Sequence, residues 1–116
     1  MGQAALKIEP ETAAAIDRDH LSRMTFGERG LQRELLELFD RQATILLARL
    51  RDGAPAAMLA HTLKGSATGI GAWDVARAAS ALEGASSPAE RGLALDSLSS
   101  AVDAVRAEIT GLLAAA

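Results

Sequence analysis

The sequence predicts an all-α protein, an up-and-down antiparallel four-helix bundle with a short additional N-terminal helix. Three observations support this. Alanine and leucine supply 26 and 17 residues, whereas valine and isoleucine together supply 8. Ala and Leu lose least on entering a helix, and β-branched residues lose more. Apolar residues also return at three- and four-residue steps over long stretches, the period of a helix face. Finally, Phe26, Phe39 and Trp73 are the only aromatics, too few for an ordinary sheet sandwich.

The elements follow in order. Residues 1–10 lack periodicity and contain Pro10, which predicts a loose lead-in before a single domain over 11–116. Ile16, Leu21 and Met24 predict a first short helix near 11–24, and Gly27 and Gly30 bracket the turn after it. Over 30–51, Leu31, Leu35, Leu38, Phe39, Gln42, Ile45, Leu46 and Leu50 predict a long second helix whose apolar stripe only Gln42 interrupts. Arg49 and Arg51 sit in its last turns, where cations suit the carbonyl end. Asp52-Gly53-Ala54-Pro55 reads as a stop followed by a start. A third helix spans about 55–70, weakened at its end by Gly69 and Gly71. A fourth carries Val75, Ala78, Ala79 and Leu82 and closes at Gly84. Ser87-Pro88-Ala89-Glu90 is a capping box with proline at the first helical position. The helix it opens repeats Leu95, Leu98, Val102, Val105, Ile109 and Leu112, a narrow stripe suited to packing along neighbours.

Composition excludes several function classes. The length of 116 residues suits one core. No apolar run approaches the ~18 residues of a membrane span. The N-terminus lacks a basic segment followed by an apolar one, so a cytoplasmic protein is expected. The absence of cysteine removes disulfides, thiolate catalysis and Cys-type zinc sites. A net charge of −3 with scattered Lys and Arg argues against nucleic acid as the main partner.

The stretch from Ala60 to Ala72 carries the chemistry. On a helical wheel, Leu59, Leu63, Ser66, Ala67 and Ile70 form the core side. Ala57, His61, Lys64, Gly65, Thr68 and Ala72 fall opposite, so His61 points away from its own hydrophobic stripe. Mid-helix glycine costs about 1 kcal/mol relative to alanine, and a close approach from outside is one reason to accept that cost. Gly65, at i+4, removes a side chain that would crowd the imidazole, and Lys64 brings a positive charge within one turn of it. At neutral pH much of an imidazole population offers a nucleophilic nitrogen, and a neighbouring ammonium stabilises arriving anionic charge. Nucleophile, cation and clearance together suit attack on a phosphoryl group. Lys64-Gly65-Ser66 is not a phosphate loop, so the phosphoryl donor must come from another protein or domain. Ala57, Thr68 and Ala72 are candidate docking positions around it.

Other readings carry less. With two histidines in the chain, and no His or carboxylate at i+3 or i+4 from His61, no metal site is expected. A Ser-His-Asp triad would need distant partners that the sequence does not indicate. His20 reads as an ordinary surface side chain, and Trp73 as packing at the corner between the third and fourth helices.

The segment His61-Thr62-Leu63-Lys64-Gly65-Ser66-Ala67, followed by Ile70-Gly71-Ala72 and Leu82-Glu83, strongly resembles histidine-containing phosphotransfer (HPt) domains of bacterial phosphorelays. Ile16-Asp17, Leu21 and the Leu35–Phe39 region resemble the weaker upstream pattern, so the likeness covers roughly residues 15–110. It implies that His61 accepts a phosphoryl group from a receiver-domain aspartyl phosphate and passes it to another receiver. Lys64 would then neutralise phosphoryl oxygens, Gly65 would give the partner access, and Glu83 would hydrogen-bond the imidazole. The implied partners are response-regulator receivers or a hybrid histidine kinase. Mg²⁺ is expected on the receiver and no cofactor on this chain. The segment between Leu50 and His61 is shorter than in many such domains, which requires an early helix end or a tight turn. The resulting expectation is a monomeric phosphocarrier without autonomous turnover. Two rival readings are a docking or inhibitory bundle that carries no phosphate and a kinase dimerisation domain.

Overall fold

In the computed structural model, which describes residues 14–115, the periodic segments form five α-helices, with no strand among the described residues. The expected lead-in over 1–10 lies outside the described residues.

Helix α1 (Arg18–Met24) is shorter than the expected 11–24. Residues 14–17 are not helical, because Asp17 takes an extended conformation and caps the helix, its Oδ1 accepting from the His20 backbone N–H at 3.0 Å. The Asp17 N–H is itself held by the Gly71 carbonyl at 2.9 Å, which ties the start of α1 to a distant corner of the fold.

Helix α2 (Arg29–Arg51) has the expected extent but a different register. Its buried residues are Leu36, Phe39, Ala43, Leu46, Leu47 and Leu50. Leu31, Leu38 and Ile45 of the expected stripe are exposed, and Leu35 and Gln42 are half-buried. Two apolar stripes wind side by side along this helix. The uninterrupted one, in which Ala43 lies beside Gln42, takes the core.

The Asp52–Pro55 turn is tight, with Gly53 at φ +91° and Pro55 in the N-cap position of α3 (Ala56–Ile70). The short segment before His61 is thereby accommodated without shortening α2. Helix α3 buries Leu59, Ala60, Leu63, Ala67 and Ile70, and stops at Gly71, whose left-handed backbone (φ +79°) ends it. No other residue suits that corner: a Cβ on Gly71 would lie 2.9 Å from the Asp17 Cβ.

Helix α4 (Trp73–Glu83) buries Val75, Ala78, Ala79 and Leu82 and closes at Gly84, and α5 (Pro88–Ala115) buries Ala94, Leu98, Val102, Val105 and Ile109. The capping box forms in a shifted version. Ser87 Oγ accepts from the Glu90 N–H at 3.1 Å, while Glu90 Oε1 accepts from the N–H and hydroxyl of Ser86. Those bonds hold the Glu90 carboxyl below its ordinary range.

Helix α2 packs on α3, α3 on α4, α4 on α5, and α5 back on α2, while α1 lies against α3. The ring encloses one core, with Phe39, Leu63, Leu98 and Val102 almost wholly sealed. Burying a side chain of this size contributes about 1.5–3 kcal/mol, so the closed ring fixes α3 firmly while leaving its outer face free.

Candidate functional site

His61 lies on the outer face of α3, and its side chain is 73% exposed. Two turns of buried leucine and alanine on the opposite face, Leu59–Ala60 and Leu63, anchor the helix beneath it. Glu83, the last residue of α4, reaches across so that its Oε2 lies 3.2 Å from His61 Nδ1. An ionised carboxylate can only accept, so Nδ1 carries the proton and donates. In the neutral ring Nε2 then has the lone pair and no described protein partner. The bond also fixes the plane of a ring that is otherwise in water.

The surroundings are sparse. Lys64 is half-buried one turn along α3 and forms no ion pair among the described residues, so its ammonium has no carboxylate to neutralise it. Gly65 is exposed, and a Cβ built there would meet nothing within 4 Å. A methyl group at this position would therefore not touch the imidazole.

Ala57 and Thr68 are exposed on the same helix, where the wheel puts them. Ala72 is not a docking position. It is completely buried, because the helix ends at Ile70 and the left-handed Gly71 turns the chain inward. A wheel that extends past residue 70 no longer describes the backbone.

His20 was not legible as a structural residue. Its ring is half-buried and lies 4.8 Å, edge-on, from Trp73, and its Nε2–H donates to the Thr68 carbonyl at 2.9 Å. Trp73 Nε1–H donates to Asp17 Oδ2 at 3.0 Å. Together with the Asp17 cap, these bonds clamp α1 onto the C-terminal end of the helix that carries His61. The Asp17 carboxyl is held below its ordinary value of 3.8, first by the His20 N–H and then by the Trp73 N–H. Residues 48 and 56 apart in sequence make these contacts, and no local spacing signals them.

Across α3 from Glu83, Ser66 Oγ donates to Gln42 Oε1 at 2.8 Å. This contact explains the polar break in the outer stripe of α2.

A model of the Hpt domain family matches residues 29–115, which includes α2 to α5 and every residue of the His61 site. The chain belongs to the Hpt domain family. Neither the curated proteins nor the solved structures gave a match. Membership implies involvement in histidine phosphotransfer and interaction with receiver domains or histidine kinases. Helix α1, with the Asp17 and His20 side of its clamp, lies outside the matched residues. No helix among the described residues is long and apolar enough to cross a membrane.

Proposed function

We propose that this Hpt domain is a phosphorelay intermediate that accepts a phosphoryl group on His61 from a receiver aspartyl phosphate and passes it to another receiver. One observation carries the reading: an exposed imidazole with Nδ1–H held by Glu83 and no described partner at Nε2, beside a lysine that forms no ion pair among the described residues. Nε2 attacks phosphorus in line, the bond from phosphorus to the aspartyl oxygen breaks, and the aspartate leaves as a carboxylate. The phosphorylated ring keeps its Nδ1 proton and gains positive charge, which the Glu83 carboxylate stabilises. Lys64 offsets charge on the equatorial oxygens, and Gly65 leaves room for the receiver. Mg²⁺ belongs to the receiver's acidic site, and this chain contributes no cofactor. The rigid helix positions the nucleophile and docking supplies proximity, so the domain acts as a monomeric cytoplasmic carrier rather than an enzyme with its own turnover. The ring of contacts among α2, α3, α4 and α5 supports an up-and-down antiparallel arrangement of these four helices.

The test is transfer profiling against phosphorylated receiver domains, with products kept at neutral or alkaline pH because phosphoramidates are acid-labile. The wild-type chain is expected to take up acid-labile phosphate from at least one receiver, and His61→Gln from none. Equal labelling of His61→Gln, or receiver binding with no transfer at all, would favour a docking bundle that carries no phosphate.

A further inference from the structure

One end of the bundle is hollow beside the His61 site. The end of α2, the turn after it, the start of α3, the end of α4 and the start of α5 surround a cleft of about 390 Å³. That volume falls within the roughly 300–1,000 Å³ of small-molecule sites. Its apolar wall is made by Leu50 and Leu82, both buried, and the half-buried Leu95. Ala56 and Ala85 also line it, and as alanines they leave open the space that a larger residue would fill. Two charges of opposite sign, Glu83 and Arg91, line the same cleft. Glu83 spends Oε2 on His61 Nδ1, and its Oε1 has no described partner. The Glu83 side chain is only 33% exposed, so a charge brought to it is attracted more strongly than in open water. Arg91 forms no ion pair among the described residues, with Glu83 or with any other carboxylate. A carboxylate and a guanidinium thus face one apolar cleft without meeting.

We infer that this cleft binds an α-amino acid with an apolar side chain, its carboxylate on Arg91, its ammonium on Glu83 Oε1 and its side chain against Leu50, Leu82 and Leu95. Charge complementarity selects this class. A simple anion satisfies Arg91 and is repelled by Glu83, and a simple cation does the reverse. An uncharged apolar molecule covers both charges and pairs neither. A small zwitterion carries both charges on one short frame, and its carboxylate can accept two parallel hydrogen bonds from a guanidinium. An apolar side chain adds burial that glycine lacks. Both protein charges are partly in water, so the expected affinity is modest, a Kd on the order of 1 mM. Occupancy also reaches His61. The ligand ammonium draws on the carboxylate that holds Nδ1–H, which loosens the ring. This effect on transfer rests on the phosphoacceptor reading of His61, and the binding does not.

The experiment titrates the ¹⁵N-labelled chain with L-leucine and follows amide and imidazole signals by NMR. Saturable shifts are expected at Leu82, Glu83, Arg91 and Leu95, together with a shift of the His61 ring. Glycine, isocaproate and isoamylamine each lack one of the three contacts, the side chain, the ammonium and the carboxylate in turn. Each is expected to bind about tenfold more weakly or worse. Arg91→Gln is expected to lose about tenfold in affinity for leucine, and Ala85→Leu, which fills the cleft, to abolish the shifts. Arg91 is exposed, so its replacement decides the matter even if Ala85→Leu does not fold. Ala104→Gln, on the distant α4–α5 face, is expected to bind as wild type does. In transfer from a phosphorylated receiver, saturating leucine is expected to slow the wild-type chain several-fold and Arg91→Gln much less. No saturable shift up to about 50 mM leucine would overturn the inference. Equal binding of isocaproate or isoamylamine, wild-type affinity in Arg91→Gln, or shifts confined to another face would do so too. Binding that leaves the transfer rate unchanged would overturn the coupling to His61. Should no receiver phosphorylate the wild-type chain, the reading of His61 fails, and the NMR titration still decides the cleft by the same criteria.

Discussion

The two histidines of this chain have the same side chain and opposite surroundings. His20 spends its Nε2–H on the Thr68 carbonyl and lies half-buried against Trp73, whereas His61 gives only its Nδ1–H, to Glu83, and stands 73% exposed. On the proposed reading, what separates a clamp from a nucleophile is which nitrogen the protein occupies and whether the other meets water. An imidazole whose Nε2 is bound to a carbonyl has no lone pair on that atom to offer. One held at Nδ1 by a carboxylate presents its lone pair outward on a fixed ring.

The largest expected effect breaks this comparison outright. His61→Gln should abolish acid-labile labelling by a phosphorylated receiver, while His20→Gln should leave the final extent of labelling intact and lower the melting temperature; intact mass at neutral pH and thermal melts read the two. Labelling that moves to His20 in the first variant would erase the distinction. Next, Lys64→Ala should slow transfer by roughly tenfold with an unchanged melt, less than the hundredfold or more of a water-excluded oxyanion donor because the ammonium is partly in solvent. An unchanged rate in rapid-quench measurements would remove its role.

Glu83 should matter less than Lys64. Glu83→Ala is expected to slow transfer several-fold, and Glu83→Gln, whose carbonyl oxygen can still accept from Nδ1–H, to recover part of that loss. Equal rates for the two variants would mean that charge alone, not ring orientation, is at work.

The smallest effect concerns the His20 side of the comparison and has a defined pH sign. The Asp17 carboxyl is depressed in the folded chain, so its ionised form contributes stability above the ordinary carboxylate range, and that contribution is lost as pH falls through the depressed value. The melting temperature of Asp17→Asn should therefore lie slightly below wild type at neutral pH and converge with it in acid. A gap that widens on acidification would contradict the assigned bonds.

Much of this was legible in the sequence, for physical reasons that differ by region. Capping residues and glycines marked the ends of α2, α4 and α5 because those signals act within a turn. The position of His61 opposite its own leucines placed it outside, since five buried neighbours on α3 leave one orientation open. The register of α2 was misread because Leu35, Leu38 and Ile45 repeat as regularly as Leu36, Phe39 and Ala43, and the choice between two such stripes is made by α3 and α5. Gln42 was the available clue, being a polar residue in the stripe that lies outside the core. Ala72 was misplaced because a wheel assumes continuous helix, and Gly71 breaks it. The Asp17–Trp73 and His20–Thr68 bonds join segments far apart in the chain and left no local trace.

The central claim is that Nε2 of His61 is the atom that receives phosphate. NMR of the chain with ¹⁵N-labelled histidine, phosphorylated by a receiver and held at alkaline pH, tests it most directly. The account predicts a single phosphohistidine, at residue 61, with phosphorus bonded to Nε2 and the proton retained on Nδ1. Phosphorus on Nδ1, or on any other residue, would contradict it.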